Sequence, residues 1–94
     1  MSGDGLKFDD EKIRMDLIPV EVLEELGKVL TYGIKKGYGE DSWKKVEPHR
    51  YVAALLRHFT AWKKGEAYDP ESNLKHLSHL LCNAAFLLYL DERG

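Results

Sequence analysis

The stretch RYVAALLRHFTAWKKGEAYDPESNLKHLSHLLCN, residues 50–83, decides the fold. Its first part sets Tyr51, Val52, Leu55, Leu56, Phe59 and Trp62 at three- and four-residue steps, the period of one buried face of an α-helix. Pro48 suits the first turn of that helix, and Gly65 ends it after Lys64. From about Glu71 to Asp91 the pattern turns apolar almost all the way round, through Leu74, Leu77, Leu80, Leu81, Ala84, Ala85, Phe86, Leu87, Leu88 and Leu90. A helix of that kind is central, or faces another subunit. The Asp69-Pro70 and Ser72-Asn73 pairs make the connection a turn, with Asp69 or Ser72 placed to cap the helix that follows. The stretch is therefore a helical hairpin, an architecture that builds polar sites between its helices.

The polar residues of the hairpin stand out against this background. His76, His79 and Asn83 fall at i, i+3 and i+7, one stripe on a helix with little reason to expose it. His58 projects near the apolar face of the first helix, so it can face that stripe; Arg50 and Arg57, seven apart, share another. Glu66, Asp69 and Glu71 beside His76-x-x-His79 make a candidate metal site, since this spacing aims both imidazoles the same way. Its oxygen-rich partners suit magnesium, or manganese in its place, better than structural zinc. The plain alternative is a solvated acidic turn above histidines that hydrogen-bond inside a helix interface. The pattern alone weighs the two equally.

Upstream, Lys12 to Ile18 is an extended approach, because Ile18 precedes a proline. From Pro19 to about Lys35, Val22, Leu23, Leu26, Val29, Leu30, Gly33 and Ile34 mark another helical face. Gly37 and Gly39 then bracket Tyr38, and each is expected to take the backbone to positive φ. This loop, with Lys35, Lys36, Tyr38 and Trp43, holds the materials of a nucleotide site: amides and ammonium groups for phosphate, rings for a base. A C-cap loop anchored by Tyr38 and Trp43 would look similar.

Composition sets the frame. The 94 residues, 44% hydrophobic and 32% charged with a net charge of -2, read as one small globular domain with no electrostatic reason to bind a nucleic-acid polymer. A chain this short buries only roughly 60 to 65% of its unfolded surface, so a homo-oligomer is expected. Residues 1–12, glycine-rich and charged, read as a flexible arm, and residues 13–94 as a single all-α domain of three to four helices. No segment has the apolar core of a signal peptide or a membrane span, which points to a cytoplasmic protein, in the host cytoplasm if phage-encoded. The single cysteine, Cys82, sits among leucines and alanines and reads as a packed hydrophobe, not a nucleophile. A serine elbow, a Walker-type loop and a His-Asp dipeptide are all missing from the sequence.

Taken together, Arg14-x-Asp-Leu-Ile-Pro19, Tyr32-Gly-x-Lys-Lys with Tyr38-Gly39 and Trp43, Ala54-x-x-Arg-His58, Trp62, Gly65-Glu66-x-x-Asp69-x-Glu71 and His76-x-x-His79-x-x-x-Asn83 resemble the N-terminal domain of phage dATP/dGTP diphosphohydrolases. The resemblance covers about residues 12 to 90. It implies an all-α domain related in outline to the MazG-like nucleoside triphosphate pyrophosphatases, which split a triphosphate into monophosphate and pyrophosphate with bound magnesium. In phages such activity reshapes the purine deoxynucleotide pool, including in phages that replace adenine by 2-aminoadenine. The implied mechanism is attack by metal-activated water at the α-phosphate. Two departures stand beside the likeness. The Glu-Glu-x-x-Glu and Glu-x-x-Asp pair of MazG-like enzymes has no match here, for Arg57-His58 and His76-x-x-His79 occupy the corresponding places. Family enzymes also carry this domain at the start of a longer chain.

Two functions are therefore expected from the sequence. One is a magnesium-dependent purine deoxynucleoside triphosphate diphosphohydrolase. In it Glu66, Asp69 and His58 are catalytic, Glu66, Asp69, Glu71, His76 and His79 hold metal, and Lys35, Lys36, Tyr38, Trp43, Arg50, Arg57 and Asn83 hold nucleotide. The other is a non-catalytic nucleotide binder, a sensor or a protein that sequesters a nucleotide signal, whose arginines and histidines grip phosphate without metal.

Overall fold

A computed structural model of the chain describes residues 12–93; the expected arm lies almost wholly outside them. Among the described residues the regular elements are helices: α1, Val20–Lys35, α2, Pro48–Lys63, and α3, His76–Leu90, with 3-10 turns at Met15–Leu17 and Ser42–Lys45. The fold is all-α. Helix α3 is the centre: α2 packs along it, α1 packs on it separately, and α1 and α2 do not pack on each other. This arrangement follows from the sequence, since only α3 is apolar enough to serve two neighbours.

Helices α1 and α2 end the same way. In α1, Gly37 takes a φ of 102°, its N–H bonds to the Ile34 carbonyl at 2.9 Å, and the Tyr38 N–H reaches back to Gly33 at 3.1 Å. In α2, Gly65 takes a φ of 106°, its N–H bonds to Trp62 at 2.9 Å, and the Glu66 N–H returns to Ala61 at 3.0 Å. Both are Schellman closures, in which a left-handed residue lets two amides cover the last free carbonyls. The second closure turns Glu66 back toward α3. Gly39 differs from the expectation: it is not in the positive-φ region. Its carbonyl instead accepts the Ser42 N–H at 3.2 Å and the Ser42 hydroxyl at 2.9 Å, starting the 3-10 turn.

The last helix begins at His76, five residues later than its periodicity suggests, and neither Asp69 nor Ser72 caps it. The reason is a small closed turn. Asn73 sits at a φ of 61°, a region asparagine tolerates. Tyr68 and Lys75 form an antiparallel bridge, with the Asp69 N–H on the Leu74 carbonyl at 2.8 Å and the His76 N–H on Ala67 at 2.9 Å. Backbone that pairs across this turn cannot also start a helix.

Polar contacts and aromatic rings fix the packing. Ser78, 4% exposed on α3, donates to Glu25 on α1 at 2.6 Å, and Glu25 also takes Lys28 at 2.8 Å. At the other end Trp43 stacks on Phe86 at 4.5 Å, and the Tyr51 hydroxyl donates to the Trp43 carbonyl at 2.7 Å. Cys82 is buried, and burial pushes its thiol up to about 11, so it stays an unreactive thiol as expected.

Candidate functional site

The hairpin brings three histidines together. His58 of α2 stacks on His79 of α3 with ring centroids 4.5 Å apart and planes 6° from parallel, while His58 Nδ1 lies 2.8 Å from His76 Nδ1. On its far side His76 Nε2 meets Glu66 Oε1 at 2.7 Å. A carboxylate only accepts, so His76 carries a proton on Nε2; in the neutral ring Nδ1 is then an acceptor, and His58 donates to it from Nδ1–H. Glu66, His76 and His58 thus form one chain of hydrogen bonds. Burial, helped by the nearby His79, pushes His58 down to about 4, so this ring stays neutral at ordinary pH.

A second chain runs beside it. His79 Nε2 lies 2.7 Å from Ser72 Oγ, and Ser72 donates to Asp69 Oδ2 at 3.0 Å. Burial tends to raise the Asp69 carboxyl, but the Ser72 hydroxyl, the Glu71 N–H and the nearby His79 outweigh it and hold it below the usual carboxylate range. Glu71 faces elsewhere, toward Lys36 at 2.9 Å.

Lined by Tyr32, Lys36, Tyr38, Trp43, Arg50 and His79 among others, a cleft of about 750 Å³ opens between α1, the loop after it, the start of α2, and α3. Its size lies within the range of small-molecule sites. Lys36 also stands over the Tyr32 and Tyr38 rings, 5.6 and 5.9 Å from their centroids. The cleft thus combines apolar walls and ring faces with two cations, Lys36 and Arg50, and one carboxylate, Glu40.

The residues singled out from sequence fall into separate groups. Lys36, Tyr38, Trp43 and Arg50 share the cleft with His79. Lys35 does not line it, Arg57 lines a more open depression with Glu66, and Asn83, 9% exposed, donates to the His79 carbonyl of its own helix at 2.9 Å. Of the five side chains considered for metal, Glu66 and His76 stand in one chain, Asp69 and His79 in the other, and Glu71 on Lys36. Among the described residues no three histidine, cysteine, aspartate or glutamate side chains are grouped to hold an ion. Sequence reasoning missed Ser72 as a link, Ser78 as the partner of Glu25, and Tyr32 as a wall of the cleft. A small polar residue on an otherwise apolar helix was the available signal for Ser78.

What fold and site define is a small all-α domain with an acidic turn, three histidines in contact and an aromatic cleft lined by Lys36, Arg50 and Glu40. The chain belongs to the dATP/dGTP diphosphohydrolase N-terminal family, whose model matches residues 2–94. A curated relative, the dATP/dGTP diphosphohydrolase of Salmonella phage PMBT28, is 33% identical over 86 residues, which cover 92% of this chain and 29% of that protein. The chain therefore spans less than a third of the relative's length. No solved structure matches it.

Proposed function

We propose that this domain binds a purine deoxynucleoside triphosphate in the cleft and splits it to the monophosphate and pyrophosphate. The observation that carries the reading is the cleft itself, in a member of this family: Arg50 is placed for phosphate, Lys36 joins it on release from Glu71, and the exposed Tyr38 ring is placed for a base, while Trp43 is already stacked on Phe86. Magnesium, or manganese in its place, enters as the counter-ion of the triphosphate. The carboxylates do not fit a protein-held ion as they stand, because Glu66, Asp69 and Glu71 are each engaged by a different partner. No step is assigned to a metal held by the protein. That same engagement favours the second reading, a nucleotide binder without turnover.

Incubation with each of the four dNTPs and magnesium, followed by chromatography, separates the two. The expected result is release of dAMP or dGMP with pyrophosphate, and an Arg50→Glu variant that weakens nucleotide binding by at least about tenfold through charge reversal. Binding without turnover would leave the binder; unchanged affinity in the variant would remove the cleft.

We propose also that the domain works as a homo-oligomer in the cytoplasm, host cytoplasm if phage-encoded. No helix among the described residues is long and apolar enough to cross a membrane. Val52, Leu56 and Phe59 form an i, i+4, i+7 stripe on α2 that is left 42 to 54% exposed, and a second copy is the proposed cover. Sedimentation equilibrium is expected to find more than one chain per particle at micromolar concentration; a monomer throughout would refute this.

A further inference from the structure

The tautomer of His79 is dictated by its neighbours. A serine hydroxyl has one proton to give, and Ser72 gives it to Asp69 Oδ2 at 3.0 Å. The Leu74 N–H donates to Ser72 Oγ at 3.2 Å, which leaves that oxygen one further lone pair. Ser72 Oγ must therefore accept from His79, 2.7 Å away, and His79 carries its proton on Nε2. Nδ1 is left as the unprotonated nitrogen of a ring that lines the cleft. The ring is also held in place: His58 stacks on one face, the Tyr32 ring stands edge-on at 6.2 Å, and the side chain is only 12% exposed.

A clamped imidazole with one free nitrogen, backed by a chain that ends on a carboxylate, has the arrangement of a general base with its orienting groups. His58 does not line the cleft, so of the two stacked rings only His79 does. Resting on the hydrolase reading above, we propose that His79 is the proton acceptor for the water that attacks the α-phosphate, with Ser72 and Asp69 as its positioning residues. The water oxygen forms a bond to the α-phosphorus and its proton passes to His79 Nδ1. The bond from the α-phosphorus to the bridging oxygen breaks, and its electron pair leaves with pyrophosphate. The imidazolium then returns its proton to solvent.

The groups that act on His79 come from every neighbouring element: the Tyr32 ring from α1, His58 from α2, Asp69 from the turn with the more distant charge of Glu71, and His76 from its own helix. Burial lowers the ring's proton affinity most, Asp69 opposes that, His76 lowers it further and Glu71 raises it, for a net shift downward. The ring is consequently an acceptor at neutral pH.

The test combines nitrogen-15 NMR of the imidazoles in the intact chain with dATP and dGTP turnover and binding for His79→Gln and Ser72→Ala. The expected spectrum has His79 protonated at Nε2 alone. His79→Gln should lose about 10²- to 10⁴-fold in kcat with nucleotide affinity nearly unchanged, and Ser72→Ala should lose less and shift the acid limb of the pH profile. An Nδ1–H tautomer, or wild-type turnover in His79→Gln, would overturn the base while leaving the hydrolase reading intact. Wild-type protein that binds nucleotide without turnover would overturn both. Should His79→Gln not fold, the spectrum and Ser72→Ala decide.

Discussion

Replacing His76 by alanine should destabilise the domain by about 3 kcal/mol, the largest single loss expected at any polar residue of the hairpin. Two effects add. The ring is 4% exposed, so its removal leaves a cavity beside α2 and α3. It also leaves His58 Nδ1–H without its 2.8 Å partner in a part-buried place, and a polar group stranded in this way costs roughly 1 to 3 kcal/mol. Domains of this size are stable by only about 5 to 15 kcal/mol, so urea unfolding should detect the change easily, with a fall in Tm of roughly 15 °C. Glu66→Gln gives the contrast. Glu66 is 53% exposed and its amide replacement can still accept from His76 Nε2, so a loss under about 1 kcal/mol is expected. A His76→Ala protein as stable as the Glu66→Gln variant would mean that the histidine chain contributes little to the fold.

Much of this arrangement was legible in the sequence, and the parts that were not share a cause. Gly65 as a helix stop, Pro48 as a helix start and the meeting of His58 with His76 and His79 all follow from local chemistry and helical period. The late start of α3 does not. It depends on a bridge between Tyr68 and Lys75 and a left-handed Asn73, so pairing across the turn overrides a period that alone would extend the helix back to Glu71. The division of the acidic residues was likewise beyond sequence spacing. Glu66, Asp69 and Glu71 lie within six positions, yet the Schellman closure sends the first to His76, the turn sends the second to Ser72, and Lys36, thirty-five residues away in sequence, takes the third. Spacing gave a cluster where tertiary contacts give three separate pairs. The cleft shows the converse: Lys36, Tyr38 and Trp43 are close in sequence, but Arg50 and His79 join them only because α1 and α2 both pack on α3.

Acidification from about pH 7.5 to about pH 5 should destabilise the domain by on the order of 1 to 2 kcal/mol, discounted for the partial exposure of the rings to screening solvent. The sign follows from His58. Its value is about 4 in the folded chain, against 6.5 when unperturbed, because burial and the neighbouring His79 disfavour its charged form. Between those values the unfolded chain binds a proton that the folded chain refuses, so stability falls as pH drops through 6.5 and the loss is complete near 4. His79 is shifted in the same direction, chiefly by burial, and adds to the slope. Asp69 acts in a different window: its lowered value gives stability that is present above 3.8 and is lost only in stronger acid. The two contributions therefore separate on a plot of urea-unfolding free energy against pH. His58→Gln removes the first proton site but keeps a donor for His76 Nδ1, so its stability should change less between about pH 7.5 and pH 5 than that of the unaltered chain. An identical slope in the two proteins would assign the titration to groups other than the half-buried, neutral His58.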